Sequence, residues 1–267
     1  MSADADADAD AGAAAAVPDD ALLDVAVECA RTAGALLLER FGSERVLATK
    51  STSTDLVSAA DLAAEAAIRD ILARRAPGDA IMGEEGDDTA GTSGRRWIVD
   101  PLDGTVNFLY GLPQWCVSVA CEGLVGVVFD PILDELFTAT ADGPAHLNGQ
   151  VLSPTAPADL GHALVATGFG YDADRRALQA DVARQVLPLA RDIRRGGSAA
   201  LDLAWAAAGR LDAYYERGVN LWDIAAGELI CVRAGLAVQR LEPTADLPWG
   251  VLAAHPNITP DLHAIVG

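Results

Sequence analysis

The chain has 267 residues, about half of them hydrophobic, which suffices for one large domain or two fused lobes around a shared core. Acidic residues outnumber basic ones 39 to 19, for a net charge of −20. That balance disfavours direct nucleic-acid binding, because phosphate backbones are bound by Lys and Arg. No apolar run reaches membrane-spanning length, and the N-terminus lacks the basic region and apolar core of an export signal, so a cytoplasmic chain without a membrane partner is expected.

Residues 1–18 form an Ala/Asp-rich tail ending in Val17-Pro18, expected to be disordered and outside the fold. The folded domain is expected over 19–267, with one lobe over about 19–155 and a second over about 156–267. Asp19 or Asp20 caps a helix to about Phe41, whose apolar stripe is Leu22, Val25, Ala26, Cys29, Ala33, Leu36 and Leu37. Residues 43–57 read as a loop or irregular hairpin. Ser58 with Asp61 three residues on reads as a capping box opening a helix to about Arg75. Ala80-Ile81-Met82 is a short strand running into Gly83-Glu84-Glu85, and 86–96 is a flexible connection.

Trp97-Ile98-Val99 reads as a buried strand, which Pro101 should stop at Asp100. Asp100 and Asp103 then sit at a strand end, followed by Gly104 and Thr105, where a helix is expected to begin. Strands follow near 115–122, 124–129 and 135–140. The second half alternates: strand 163–167, helix 173–189, strand 191–194, helix 197–209, strand 211–216, helix 223–234, strands 236–241 and 250–254, and helix 260–266. Strands in runs, then strands alternating with helices, suggest stacked α and β layers.

Three separated segments repeat one pattern: an apolar stretch, a sudden carboxylate, then small residues. They hold Glu84 and Glu85, Asp100 and Asp103, and Asp223 in Leu221-Trp222-Asp223-Ile224-Ala225-Ala226-Gly227. Each has a local alternative: Asp-Pro-x-Asp-Gly is ordinary turn chemistry, Asp223 caps a helix, and Asp61 completes its capping box. Together they make a carboxylate inventory that suits Mg²⁺, which takes a few carboxylates, waters and phosphate oxygens. The four cysteines and four histidines show no paired spacing, so reduced core thiols are expected and a zinc enzyme is not.

With Gly83-Glu84-Glu85, Trp97 to Phe108 and Trp222 to Gly227 in this order, the chain resembles the inositol monophosphatase family over nearly its whole length after the tail. Lys50 to Asp61, Gly197-Ser198-Ala199-Ala200 and Asp212 to Glu216 add to the match. The resemblance implies an α+β fold, the five-layered αβαβα sandwich of the inositol monophosphatase and fructose-1,6-bisphosphatase type. It implies hydrolysis of myo-inositol monophosphate by metal-activated water, with two to three Mg²⁺ ions per site. Glu84, Asp100 and the Leu102 carbonyl would hold the first ion; Asp100, Asp103 and Asp223 the second; Glu84 and waters a weaker third. Gly104 and Thr105 would offer backbone N–H groups to the phosphate. Asp61 would hydrogen-bond Thr105, the pair orienting the attacking water, and Glu216 and Ala199 would face sugar hydroxyls.

Lys50 is the only lysine, and it falls in the loop this family places over the metals, where a mobile cation helps hold phosphate. The loop Ser51-Thr-Ser-Thr-Asp55 lacks the glycine often found there. The resemblance also implies a homodimer and Li⁺ inhibition. Histidinol phosphatase, or another sugar-phosphate phosphatase of this fold, is the alternative activity; a regulatory role with a protein partner is a further one.

Overall fold

The computed structural model describes residues 19–43, 46–49 and 56–267; the N-terminal tail and Lys50 lie outside these. Helix α1 (Asp19–Arg40) buries Leu22, Val25, Ala26, Cys29, Ala33 and Leu37, spaced at helical period. Strands β1 (Val46–Thr49) and β2 (Leu56–Ser58) pair antiparallel. Helix α2 (Ala59–Arg75) opens on the expected capping box: Ser58 Oγ accepts from Ala60 N, and Asp61 Oδ2 accepts from Ser58 N at 2.8 Å.

Next come β3 (Ala80–Gly83), β4 (Arg96–Asp103), the short helix α3 (Thr105–Leu109), and strands β5 (Cys116–Cys121), β6 (Val125–Asp130), β7 (Glu135–Thr140), β8 (His146–Leu147) and β9 (Gln150–Val151). The seven strands form one sheet in sequence order, with β3 parallel to β4 and every later pair antiparallel. The second half contributes β10 (Leu164–Thr167), α4 (Ala173–Val186), β11 (Asp192–Arg194), α5 (Ala199–Ala207), β12 (Ala213–Arg217), α6 (Leu221–Ala234), β13 (Ala237–Leu241), β14 (Gly250–Ala254) and α7 (Thr259–Val266). Its five strands are ordered β11-β10-β12-β14-β13.

Side-chain alternation divides the interior into three apolar clusters. On β5, Val117, Val119 and Cys121 face the cluster built on α1 and α2, while Cys116 and Ala120 face Leu201, Leu203, Ile224 and Ile230 of α5 and α6. On β12, Tyr214 belongs to that middle cluster, whereas Ala213 and Tyr215 pack with Val186, Leu262 and Val266 of α4 and α7. The result is an α+β sandwich of five layers: α1/α2, the seven-stranded sheet, α5/α6, the five-stranded sheet, α4/α7. The central helices touch closely, since a Cβ at Gly227 would stand 2.7 Å from Leu203. All four cysteines are buried free thiols, and among the described residues no helix is long and apolar enough to cross a membrane.

Three expectations need correcting. Pro101 does not stop β4 at Asp100: the strand runs to Asp103, and the ladder to β5 breaks after Asp100↔Ser118 and resumes at Asp103↔Cys116. Proline only forfeits a donor, and Asp100 Oδ1 takes up the Leu102 N–H at 2.9 Å, so the irregularity is absorbed locally. Asp223 does not begin its helix. Asn220 is the cap and Asp223 stands at the third helical position, accepting from Asn220 N at 2.6 Å. Helix α4 ends at Val186 rather than 189. Between Thr140 and Ala163, where no element is expected, the β8–β9 hairpin turns through Asn148 (φ 48°) and Gly149 (φ 79°), the Asn-Gly signal of a tight turn.

Candidate active site

The ends of β3, β4 and β12 and the starts of α3, α5 and α6 converge on one cavity of about 590 Å³. Glu84 arrives from the end of β3, Asp100 and Asp103 from the irregular end of β4, Thr105 from the first turn of α3, Asp223 from the first turn of α6, and Glu216 from β12. Leu102, Gly104 and Ala199 line the same cavity. Gly104 is at φ 98°, and a Cβ there would come within 2.8 Å of the Gln114 carbonyl, so the turn into α3 depends on glycine.

Each aspartate is held by its own donors. Asp103 Oδ2 accepts from Ser198 Oγ at 2.7 Å and Ala200 N at 2.6 Å, which ties β4 to the start of α5. Asp100 is held by Leu102 N and Asp223 by Asn220 N. Burial, then the charges of Glu84, Asp103 and Asp223, holds Asp100 well above the ordinary carboxylate range. Burial likewise pushes Asp103 up to about 7 against the Ser198 and Ala200 bonds, and raises Asp223 well above its usual value with the Asp103 charge adding to it. Among the described residues no three carboxylate, imidazole or thiol groups are gathered tightly enough to hold an ion as they stand. The site is therefore a set of buried and half-buried oxygen donors that repel one another.

Asp61 lies behind this wall. Its Oδ1 is 3.0 Å from Thr105 Oγ1, while its Oδ2 is held by Ser58 N and Oγ. On the opposite wall Glu216 Oε2 accepts from Tyr214 Oη at 2.8 Å. Burial raises Glu216, and the Tyr214 bond and the Arg195 charge oppose the rise. Of the site residues expected from sequence, only Lys50 falls outside the described residues.

Several residues that shape the site carry no sequence flag of their own. Glu65, one helical turn after Asp61, accepts from Glu85 N (2.8 Å), Gly86 N (2.9 Å) and Arg69 Nε (2.7 Å), and so sits directly under the Glu84 segment. The i, i+4 spacing from Asp61 is the signal that could have found it. Asn107 Nδ2 donates to the Gln114 and Gly196 carbonyls, joining the halves of the sandwich beside the cavity. Asp202 is buried near Asp103 and Glu216, with burial chiefly holding it well above the ordinary range.

The model of the inositol monophosphatase family matches residues 19–266. The chain belongs to that family. It is 42% identical over 261 residues to the inositol-1-monophosphatase SuhB of Mycobacterium tuberculosis, covering 90% of each chain. To the Nus factor SuhB of Escherichia coli it is 41% identical over 221 residues, covering 80% of this chain and 83% of the relative. The crystal structure of extragenic suppressor protein suhB from Bartonella henselae superposes with a TM-score of 0.84 at 35% identity, covering 92% of this chain and 98% of that one. Membership in the inositol monophosphatase family supports a phosphatase of this fold, and a phosphate monoester substrate is consistent with the family.

Proposed function

We propose that the chain is a Mg²⁺-dependent phosphomonoesterase that hydrolyses myo-inositol monophosphate to inositol and phosphate. The observation that carries this reading is the meeting of Glu84, Asp100, Asp103 and Asp223 with the Gly104–Thr105 turn on one cavity wall. An all-oxygen donor set fits Mg²⁺, and a divalent cation offsets the repulsion that raises the pKa values of Asp100, Asp103 and Asp223. Glu84, Asp100 and the Leu102 carbonyl hold one ion in this reading, Asp100, Asp103 and Asp223 a second, and Glu84 a weaker third. Bound there, Mg²⁺ supplies positive charge for the phosphoryl oxygens and acidifies water.

The chain's own groups do the positioning. Gly104 and Thr105 turn their backbone toward the phosphate. The Thr105 hydroxyl donates to Asp61 or to the Leu102 carbonyl, which leaves its oxygen free to accept from the attacking water. Glu216, braced by Tyr214, takes polyol hydroxyls, with Ala199 beside it. No covalent intermediate is needed. Family likeness supports a homodimer, a cytoplasmic setting and Li⁺ inhibition as parts of the same reading.

The test is phosphate release from inositol 1-phosphate and from histidinol phosphate, side by side, with and without Mg²⁺. Mg²⁺-dependent preference for the inositol ester is expected. Preference for histidinol phosphate would keep the metal ligands and move the substrate assignment to the alternative.

A further inference from the structure

Helix α4 is the most solvent-facing helix of the second half: among its residues only Gln179 and Val186 are buried. Val186 is apolar and packs in the outer cluster with Leu262 and Val266. Gln179 is polar and 5% exposed, and both ends of its amide are engaged. Its Oε1 accepts from Gly170 N at 2.8 Å, and its Nε2 donates to the Arg217 carbonyl at 2.8 Å.

These two partners lie at or just past the ends of neighbouring strands, β10 and β12, whose parallel ladder runs to Thr167↔Tyr215. Gly170 lies in the segment Gly168–Tyr171, of which Phe169, Gly170 and Tyr171 line the cavity. Arg217 follows Glu216 directly at the end of β12. Just past that ladder the chains stay close, and a Cβ on Gly168 would fall 1.8 Å from Glu216 Oε2. Arginines also reach the segment: Arg176 Nη1 meets the Tyr171 carbonyl at 2.9 Å, and the exposed Arg195 Nη2 the Phe169 carbonyl at 3.4 Å. Gln179 is a buried, fully paired link between the two chains beyond the end of their ladder.

We propose that Gln179 is a positioning residue that sets the distance of the Gly168–Tyr171 segment from Glu216, and thereby the binding of the alcohol part of the substrate. An amide suits the task because it offers an acceptor to Gly170 and a donor to Arg217, with no charge to desolvate. The inference rests on the functional reading above, in which Glu216 meets polyol hydroxyls.

The experiment compares wild type and Gln179→Met on inositol 1-phosphate and p-nitrophenyl phosphate at saturating Mg²⁺. The aryl ester offers no hydroxyls to the Glu216 wall. Gln179→Met is expected to raise KM for the inositol ester about tenfold with kcat within about twofold, and to leave both constants for the aryl ester within about twofold. Gln179→Glu keeps the Gly170 bond and replaces the donor to the Arg217 carbonyl with a charged acceptor. It is expected to give the same split, and serves where the Met variant does not fold. An unchanged KM for the inositol ester, or an equal loss on both esters, would overturn the positioning role. A wild-type enzyme that cleaves the aryl ester and not the inositol ester would overturn the functional reading instead.

Discussion

Thr105 Oγ1 stands 3.0 Å from Asp61 Oδ1, a buried contact between residues 44 apart in sequence. One partner opens a helix on the inner edge of the cavity; the other is fixed from behind by its own capping box. Because Ser58 occupies the second Asp61 oxygen, Asp61 cannot turn away from Thr105. The hydroxyl has two acceptors, Asp61 Oδ1 and the Leu102 carbonyl at 3.1 Å, so its proton is committed to the protein and its lone pairs remain for a donor in the cavity. Thr105→Val keeps the shape and removes the oxygen. It is expected to lower kcat at least about a hundredfold, the scale of a lost proton-handling group, with Mg²⁺ affinity by calorimetry unchanged. A kcat within a few-fold of wild type would remove the pair from the chemistry.

Asp103 makes a different prediction, since it sits among like charges. Asp103→Asn retains an oxygen for Ser198 Oγ and Ala200 N while deleting the negative charge. Mg²⁺ affinity is expected to fall more than about tenfold, in line with losing a ligand charge. Thermal stability in EDTA is expected to rise, because repulsion on Asp100 and Asp223 is relieved. A lower melting temperature in EDTA together with undiminished Mg²⁺ binding would contradict both halves.

The same charges set a pH trend. Asp103 titrates near 7 in the folded chain, against about 4 when unfolded. The folded state thus holds the proton more tightly, and the metal-free fold loses stability as pH rises from about 4 through about 7. Asp100, Asp202 and Asp223 are shifted in the same direction. In EDTA the melting temperature at pH 6 is therefore expected to exceed that at pH 8. Saturating Mg²⁺, which binds the ionised carboxylates, is expected to shrink or reverse the difference. A metal-free protein more stable at pH 8 than at pH 6 would refute the assignment of the strain to these acids.

How much of this was readable beforehand follows from the range of each signal. The capping box at Ser58 and the strand-then-carboxylate segments are local patterns, and they placed Asp61, Glu84, Asp100, Asp103 and Asp223 on elements close to those observed. The end of β4 was not readable, because the Leu102 amide finds Asp100 only once the β5 partner fixes the bend. Asp223 was misplaced by two residues, since Asn220 caps as well as Asp does and the Leu-Trp pair between them hides the helix start. Gln179 left no trace at all: it is a polar residue on a polar helix, and only packing against Gly170 and Arg217 distinguishes it. The layered fold came from family resemblance more than from periodicity, and the three clusters give it a physical basis.

Arg217 supplies a prediction about stability alone. It is 4% exposed, and its guanidinium meets only main-chain oxygens: Val266 from Nε and Nη2, Glu242 and Pro248 from Nη1. Burial lowers its pKa, as expected where no carboxylate offsets the charge. It binds the end of α7 and the 242–248 loop to β12. Arg217→Met fills much of the volume but leaves the buried Val266 carbonyl and the part-buried Glu242 and Pro248 carbonyls without their donor. The expected cost is about 2–4 kcal/mol, read as a lower denaturant midpoint at unchanged slope. A change below about 0.5 kcal/mol would show that water or neighbouring donors replace the guanidinium.

Glu65 tests whether the Glu84 segment is held from beneath. Its carboxylate accepts from Glu85 N and Gly86 N and is neutralised by Arg69, which also donates to Thr89 Oγ1 at 3.1 Å. Gly83 and Gly86 leave the room for it, since a Cβ on either would lie within 2.7 Å of Glu65 Oε1. Glu65 thus faces away from the cavity and acts only through the backbone beside Glu84. Glu65→Ala removes both amide acceptors without touching a cavity-lining group. Mg²⁺ affinity is expected to fall about tenfold, the usual effect of losing a group that orients a ligand. KM for the phosphate ester at saturating Mg²⁺ should stay within about twofold. Calorimetry with Mg²⁺ alone separates this from a folding defect. Unchanged metal affinity in a variant with a normal melting curve would show that Glu84 is oriented by its own strand, with Glu65 serving only to bury the turn.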